Sequence, residues 1–180
     1  MANDSGNVVV GKPAATGGAY VGDIGTTLPT SATSTLDAGF LATGYVGEDG
    51  VVVSIATDTT DIKAWGGDIV RRIQSSHVVT LKLTLIETND VSAEVYFGDD
   101  NVTGGTLKLN ATELPRREWV LEILDDTRTL RVVVPEGQVT ERGDITFGDT
   151  SAVGYEVTIT CYPDDNGDKV IIYTDGLDVS

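Results

Sequence analysis

One cysteine, Cys161, and one histidine, His77, are all that the 180-residue chain offers of the two side chains most used for nucleophilic and metal chemistry. A lone cysteine cannot close an internal disulfide, and a lone histidine cannot build a histidine-based metal site. The two stand far apart in the sequence with no third group to orient them, so a Cys/His nucleophile pair has no support. Cys161 falls on the apolar side of an alternating stretch and reads as a small core residue. Phe, Trp and Tyr make up 6% of the chain and there are 5 prolines. No stretch reaches the roughly 20 apolar residues that a membrane-spanning helix requires. The opening Met-Ala-Asn-Asp-Ser-Gly has no basic n-region and no apolar h-region, so we expect no secretory signal and synthesis in a reducing cytoplasm. Basic side chains are scarce as well, with 12 Lys+Arg against 28 Asp+Glu and a net charge of −16. A protein that holds nucleic acid needs a basic stripe to neutralise phosphates, and none is present. The glycine pairs Gly17-Gly18, Gly66-Gly67 and Gly104-Gly105 fit neither phosphate-cradling pattern. No catalytic residue and no cofactor follows from this inventory, and we expect a protein that is not an enzyme.

What remains is 21 Gly with many Val and Thr, a composition of short strands and turns. Val79, Leu81, Leu83 and Leu85 alternate with Thr80, Lys82 and Thr84, the period of a half-buried strand. Residues 69–74 form a strand candidate before it, with a break at Ser75-Ser76-His77. Asn89 can cap a helix over residues 89–97, with Asp90 in its first turn, Gly98 at its end, and Val91, Val95 and Tyr96 as its apolar stripe. Strands follow over 106–109, over 116–124 with Trp119, Leu121 and Ile123 on one side, and over 130–134, stopped by Pro135. The next, 138–147, places Val139, Ile145 and Phe147 on one face and Gln138, Thr140, Arg142, Asp144 and Thr146 on the other. In 154–162, Tyr155, Val157, Ile159 and Cys161 point inward. Asn166-Gly167 is a hairpin signal leading into a strand over 170–173. About eight short antiparallel strands with one flanking helix predict a mainly β fold, a β-sandwich or partly open barrel.

Two regions depart from that regularity. Residues 1–35 hold a strand candidate at Val8-Val9-Val10 but are broken by Gly and Pro, and 31–40 offers one helical turn with Leu36 and Phe40 on one side. This region cannot form its own core and should lie as an arm on its own domain or on a neighbouring copy. The stretch 44–68, GYVGEDGVVVSIATDTTDIKAWGGD, turns at Glu48-Asp49-Gly50 and then runs as a polar arm between apolar anchors. It reads as a long hairpin or loop projecting from the sheet, either functional or disordered. Asp164, Asp165, Asn166 and Asp168 form an oxygen-rich turn, a weak calcium candidate without the distal glutamate of an EF-hand.

LDAGF, GYVGEDG, IKAWGGD, a Thr-Leu-Ile-Glu strand leading into a short helix, YFGDDNVTGG, GDITFGD and GYEVTITCYPDDNGD occur in one order from about Leu36 to Asp168. Together they resemble the major tail tube protein of long-tailed, non-contractile bacteriophages. The resemblance implies a β-sandwich domain over 36–173, an N-terminal arm over 1–35 and a C-terminal arm over 174–180. It implies hexameric rings stacked into a tube in the virion tail, through which the genome passes. It also implies tape-measure, tail-terminator and distal tail proteins as partners, with no membrane contact. The loop over 51–65 would stack the rings through Val53, Ile55, Thr57, Asp58, Thr59, Thr60, Asp61, Ile62 and Trp65. Thr140, Asp144, Thr146, Glu156, Thr158 and Thr160 would line the lumen and face the DNA, or else face solvent on the tube exterior, since alternation shows which side is polar without showing what lies opposite. A monomeric surface β-sandwich that binds calcium or carbohydrate through its acidic turns is the competing reading.

Overall fold

The computed structural model describes residues 8–14, 18–125 and 128–176. Parts of both expected arms, residues 1–7, 15–17 and 177–180, and Asp126 and Thr127 of the expected 125–127 turn lie outside them. The chain forms β1 (Lys12–Pro13), β2 (Ala19–Asp23), β3 (Leu41–Ala42), β4 (Val46–Lys63), β5 (Ile69–Leu85) and helix α1 (Asp90–Phe97). There follow β6 (Val102–Thr103), β7 (Thr106–Leu107), β8 (Arg116–Asp125), β9 (Arg128–Arg142), β10 (Tyr155–Tyr162) and β11 (Ile171–Asp175). One antiparallel sheet of nine strands runs β3-β2-β8-β9-β10-β5-β4, with β1 added to β8 and β11 to β9; it does not close into a barrel. β6 and β7 pair separately beside the helix.

Burial divides this sheet into two halves. On β8, Glu118, Trp119, Val120 and Leu121 are buried in succession, so both faces are covered. Odd-numbered side chains such as Trp119 and Leu121 enter the main core with Val132, Val134, Leu81, Ile159 and helix residues Val95 and Phe97. Even-numbered Val120 joins Tyr20, Phe40 and Val133 in a second cluster roofed by Leu28 and Leu36. Arg131 pins that roof, donating to the carbonyls of Ser31 (2.8 Å) and Ser34 (2.6 Å) and pairing with Glu122. On β10, by contrast, burial alternates strictly, because only one face has anything packed on it.

Several expected boundaries move for identifiable reasons. No break occurs at 75–77: β5 is continuous, with Asp58 opposite Ser76 and Thr59 opposite Gln74, so Ser75 is the extra residue of a bulge. Glu48-Asp49-Gly50 is likewise a bulge inside β4 rather than a turn, since Val46 faces Leu85 and Val51 faces Leu83. Pro135 does not stop β9. Trp119 faces Val134 and Arg117 faces Gly137, so the proline sits in a register shift where its missing N–H costs nothing. Asn166-Gly167 does not fold β10 against β11 as a hairpin. Both strands lie end to end on one edge of β9, Tyr162 opposite Glu136 and Ile171 opposite Val133, and the loop bulges out beside Pro135.

The 138–147 strand ends at Arg142. A bulge opposite Thr158/Ile159 shifts the alternation, so that Arg142 faces the same side as Val157 and donates to the Tyr96 carbonyl at 3.1 Å. Phe147, expected on the apolar face, is 82% exposed. Val8-Val9-Val10 is not a strand; Lys12–Pro13 is. No helical turn forms at 31–40, although Leu36 and Phe40 do meet in the second cluster. Within the expected arm, Ala19–Asp23 is a full strand of the sheet, with Val21 at 2% exposure. The helix is as expected: Asn89 accepts from the Ser92 N–H at 2.8 Å, and Ser92 accepts in return from the Asn89 N–H at 3.0 Å.

Candidate functional site: an open polar face and a projecting hairpin

The face of β10 turned away from the core carries Glu156, Thr158 and Thr160, and pairing fixes their neighbours. Glu156 lies opposite Thr84, Thr158 opposite Lys82 and Thr160 opposite Thr80, while Ser54 of β4 extends the row beyond Thr80. From β9, Thr140 joins the same side, its hydroxyl 2.8 Å from that of Thr160 and 3.4 Å from the Thr158 carbonyl that it donates to. The single cation in this row, Lys82, is held by Glu156 at 3.0 Å. Both partners are substantially exposed, so the pair adds little stability, but it leaves the face without an uncommitted positive charge.

Asp144 and Thr146 sit past the end of β9, where, with Thr84 and Glu156, they line a shallow depression. The Gly143 N–H donates to the Glu156 carbonyl at 2.8 Å and keeps that loop against the sheet. A Cβ at Gly143 would come within 2.8 Å of the Glu156 Cβ, so the close approach depends on glycine. The structure therefore brings the six expected lumen residues into two adjoining groups on one open face. Thr80, Lys82, Thr84 and Ser54 complete it. Their alternation is visible in the sequence, but their membership follows only from strand pairing.

The second feature is the β4–β5 hairpin. β10 accompanies β5 only as far as the Cys161–Val79 pair, and beyond it the two strands continue alone to a tip at 64–68. From Ala56 to Lys63 that is about 25 Å of unsupported ribbon at roughly 3.4 Å per residue. The tip is closed by the Ala64 N–H donating to the Asp68 carbonyl at 2.7 Å, with Gly66 and Gly67 at φ 116° and 101°, where a side chain would be strained. Of the nine expected stacking residues, Val53 and Ile55 pair with Leu81 and Val79 and so lie beside the main sheet. Thr57, Asp58, Thr59, Thr60, Asp61 and Ile62 lie on the free ribbon, and Trp65 stands at its tip, fully exposed. Asp58 accepts from the Ser76 hydroxyl at 2.8 Å, and Asp61 takes two hydrogen bonds from Arg72 at 2.7 and 3.1 Å. Those bonds push the Arg72 guanidinium pKa upward. The returning strand adds Ile69, Val70, Arg71 and Ile73, which the sequence did not mark. Lys169 donates to the His77 carbonyl and anchors the ribbon at its base.

Elsewhere the chemistry is quiet. His77 lies two residues along β5 from Val79, the partner of Cys161, but the thiol is buried and its pKa is pushed up to about 11, mainly by desolvation, the opposite of an activated nucleophile. In the acidic turn, Asp164 Oδ1 accepts from the N–H groups of Asn166 (2.9 Å) and Asp168 (2.8 Å), which lowers its pKa and spends it on the turn. With Asp165 and Asp168 it makes no convergent metal-binding group, and none occurs among the described residues. No helix among them is long and apolar enough to cross a membrane.

A family model described as "Phage tail tube protein" matches residues 1–175. No curated protein matches the chain. Among solved structures, the chain is similar to the tube-terminating cap of an anti-feeding prophage (14% identity, 97% of this chain, 100% of that chain, TM-score 0.47). It is also similar to a chain of the PVC sheath-tube complex of an extracellular contractile injection system (12%, 97% and 100%, 0.45). A third is a chain of the virion of a native gene transfer agent particle (12%, 78% and 92%, 0.40).

Proposed function

The chain belongs to the phage tail tube protein family and is a structural protein of the virion tail, and from that premise we propose that it builds hexameric rings that stack into a DNA-conducting tube. The observation that carries this reading is the contrast between the two halves of the sheet. Half of it is buried on both faces, whereas β10 and β5 leave one face open, where Thr80, Thr84, Thr158, Thr160 and Glu156 stand beside Lys82 and the exposed Val52 and Val78, and β4 at the edge is exposed on both sides. β4 is also an edge strand, with a row of unpaired backbone groups that a second copy can complete. A cyclic assembly needs such a head-to-tail contact, and six copies joined this way close their open faces around a common bore.

In the bore, Thr140, Thr158, Thr160, Asp144, Thr146 and Glu156 face the DNA. Duplex DNA carries one negative charge per roughly 1.7 Å of axis, so a cationic lining would hold it at many points. Hydroxyls and carboxylates give no such wells, and the nearby cations Lys82 and Arg116 are paired with Glu156 and Glu136. The genome slides without being gripped. The free hairpin provides the axial contact between rings, and the two arms add to it. Its partners in the tail are the tape-measure, tail-terminator and distal tail proteins. The test is electron microscopy of the purified protein at rising concentration. Hollow tubes whose end-on averages show six-fold symmetry are expected; monomers at every concentration, even with tail initiator complexes added, would overturn the proposal.

A further inference from the structure

The two ends of the β4–β5 ladder are chemically opposite. At the tip, residues 61–72 carry Lys63, Arg71 and Arg72 against Asp61 and Asp68, a net positive segment on a chain of net charge −16. Around these charges Trp65 (106%), Val70 (63%), Ile69 (54%) and Ile62 (45%) expose apolar surface. The far end is fixed by the Val46–Leu85 and Leu85–Tyr155 pairs, and the Gly143–Glu156 hydrogen bond brings the 143–154 loop to it. Its segments 44–50, 86–90 and 143–154 carry Glu48, Asp49, Glu87, Asp90, Asp144 and Asp149 and no Lys or Arg. Here Phe147 (82%), Tyr45 (68%) and Ile86 (38%) are the exposed apolar groups.

We infer that the basic, apolar hairpin tip of one copy docks on the acidic, aromatic end of the ladder of a second copy of this chain, with Trp65 against Phe147 and Tyr45. Within one copy the two surfaces are about 55 Å apart at roughly 3.4 Å per residue along β4, so the tip cannot reach its own far end. The contact joins two different patches at opposite ends of the ladder, so successive copies related by it without a closing rotation form a line, the geometry of axial stacking. The inference rests on the tube reading above and names the receiving surface that the stacking hairpin requires. Its charge component falls within a screening length of about 8 Å at physiological salt, so stacking weakens as salt rises.

Tubes assembled from the Trp65→Cys/Phe147→Cys variant and then oxidised test the contact. The native Cys161 is buried and will not compete. A denaturing gel should show a ladder of covalently linked copies, absent from either single variant. A second measurement covers the case in which the cysteines themselves impair assembly. Lys63→Glu/Arg71→Glu should arrest growth at single rings, and adding Glu48→Lys/Asp49→Lys to the same chain should restore tubes. Tubes without a ladder, or arrest that the second pair does not relieve, would overturn the inference while leaving the tube reading intact. A parent chain that forms no tubes would overturn both.

Discussion

Replacing residues 58–76 by Asn-Gly removes the free ribbon and lets Thr57 and His77 close a two-residue hairpin at a register they already share. The structure fixes the expected magnitude. The first buried residue of β5 is Val79 and β4 contributes none to either core cluster as a fully buried member, so the excised segment takes no core contact with it. What is lost is an exposed ion pair, Asp61–Arg72, and an exposed Asp58–Ser76 hydrogen bond, both screened by solvent and offset by the entropy of the removed chain. Thermal unfolding should therefore shift by no more than about 2–4 °C, the equivalent of 1 kcal/mol for a chain of this size. Tube formation, scored by sedimentation and microscopy, should stop. A fall in Tm beyond about 8 °C would show that the ribbon supports the fold, and tubes of normal length would show that it does not stack rings.

Arg131→Ala strands Glu122 and releases the roof over the second cluster; breaking a buried pair in this way costs about 3 kcal/mol or more, seen as a Tm lower by about 6–12 °C. Burial raises the Glu118 carboxyl pKa while its Oε1 still accepts from the Gly25 N–H, so its ionised form is the disfavoured one. Stability from this group is complete below the usual carboxylate range and is lost as pH rises through its elevated pKa. Glu118→Gln, which keeps the acceptor, should accordingly raise Tm at pH 7 but not at pH 3.5, and an equal gain at both would refute the assignment. Thr158→Arg places an unpaired cation on the open face, and tubes of this variant should retain duplex DNA near 50 mM salt and release it by about 200 mM, whereas parent tubes retain none at either. Retention by the parent would count against a non-gripping bore.

Alternation in the sequence located the inward sets of β10 and β8 correctly, because their residues from Tyr155 to Cys161 and from Trp119 to Ile123 keep one period against one core. It failed wherever a bulge changed the count. Arg142 was placed on the polar face and lies over Tyr96, and Ser75-Ser76-His77 looked like a break because small polar residues on a free ribbon carry no burial signal. Pro135 and Asn166-Gly167 misled for a related reason. Each is a true local signal, for a ladder interruption and a turn, but which strands flank the interruption is a long-range pairing that local letters do not encode. The open polar face was half legible: Thr158 and Glu156 were marked, while Thr80, Lys82 and Thr84 had the same pattern and needed the register to be recognised as their neighbours.

The central claim is that the hydroxyl-rich face of β10 lines a bore, and a helical reconstruction of assembled tubes by cryo-electron microscopy tests it most directly. Six subunits per ring are predicted, with Thr158 and Thr160 projecting into the central channel. A tube with those threonines on its exterior, or rings of another order, would contradict the account.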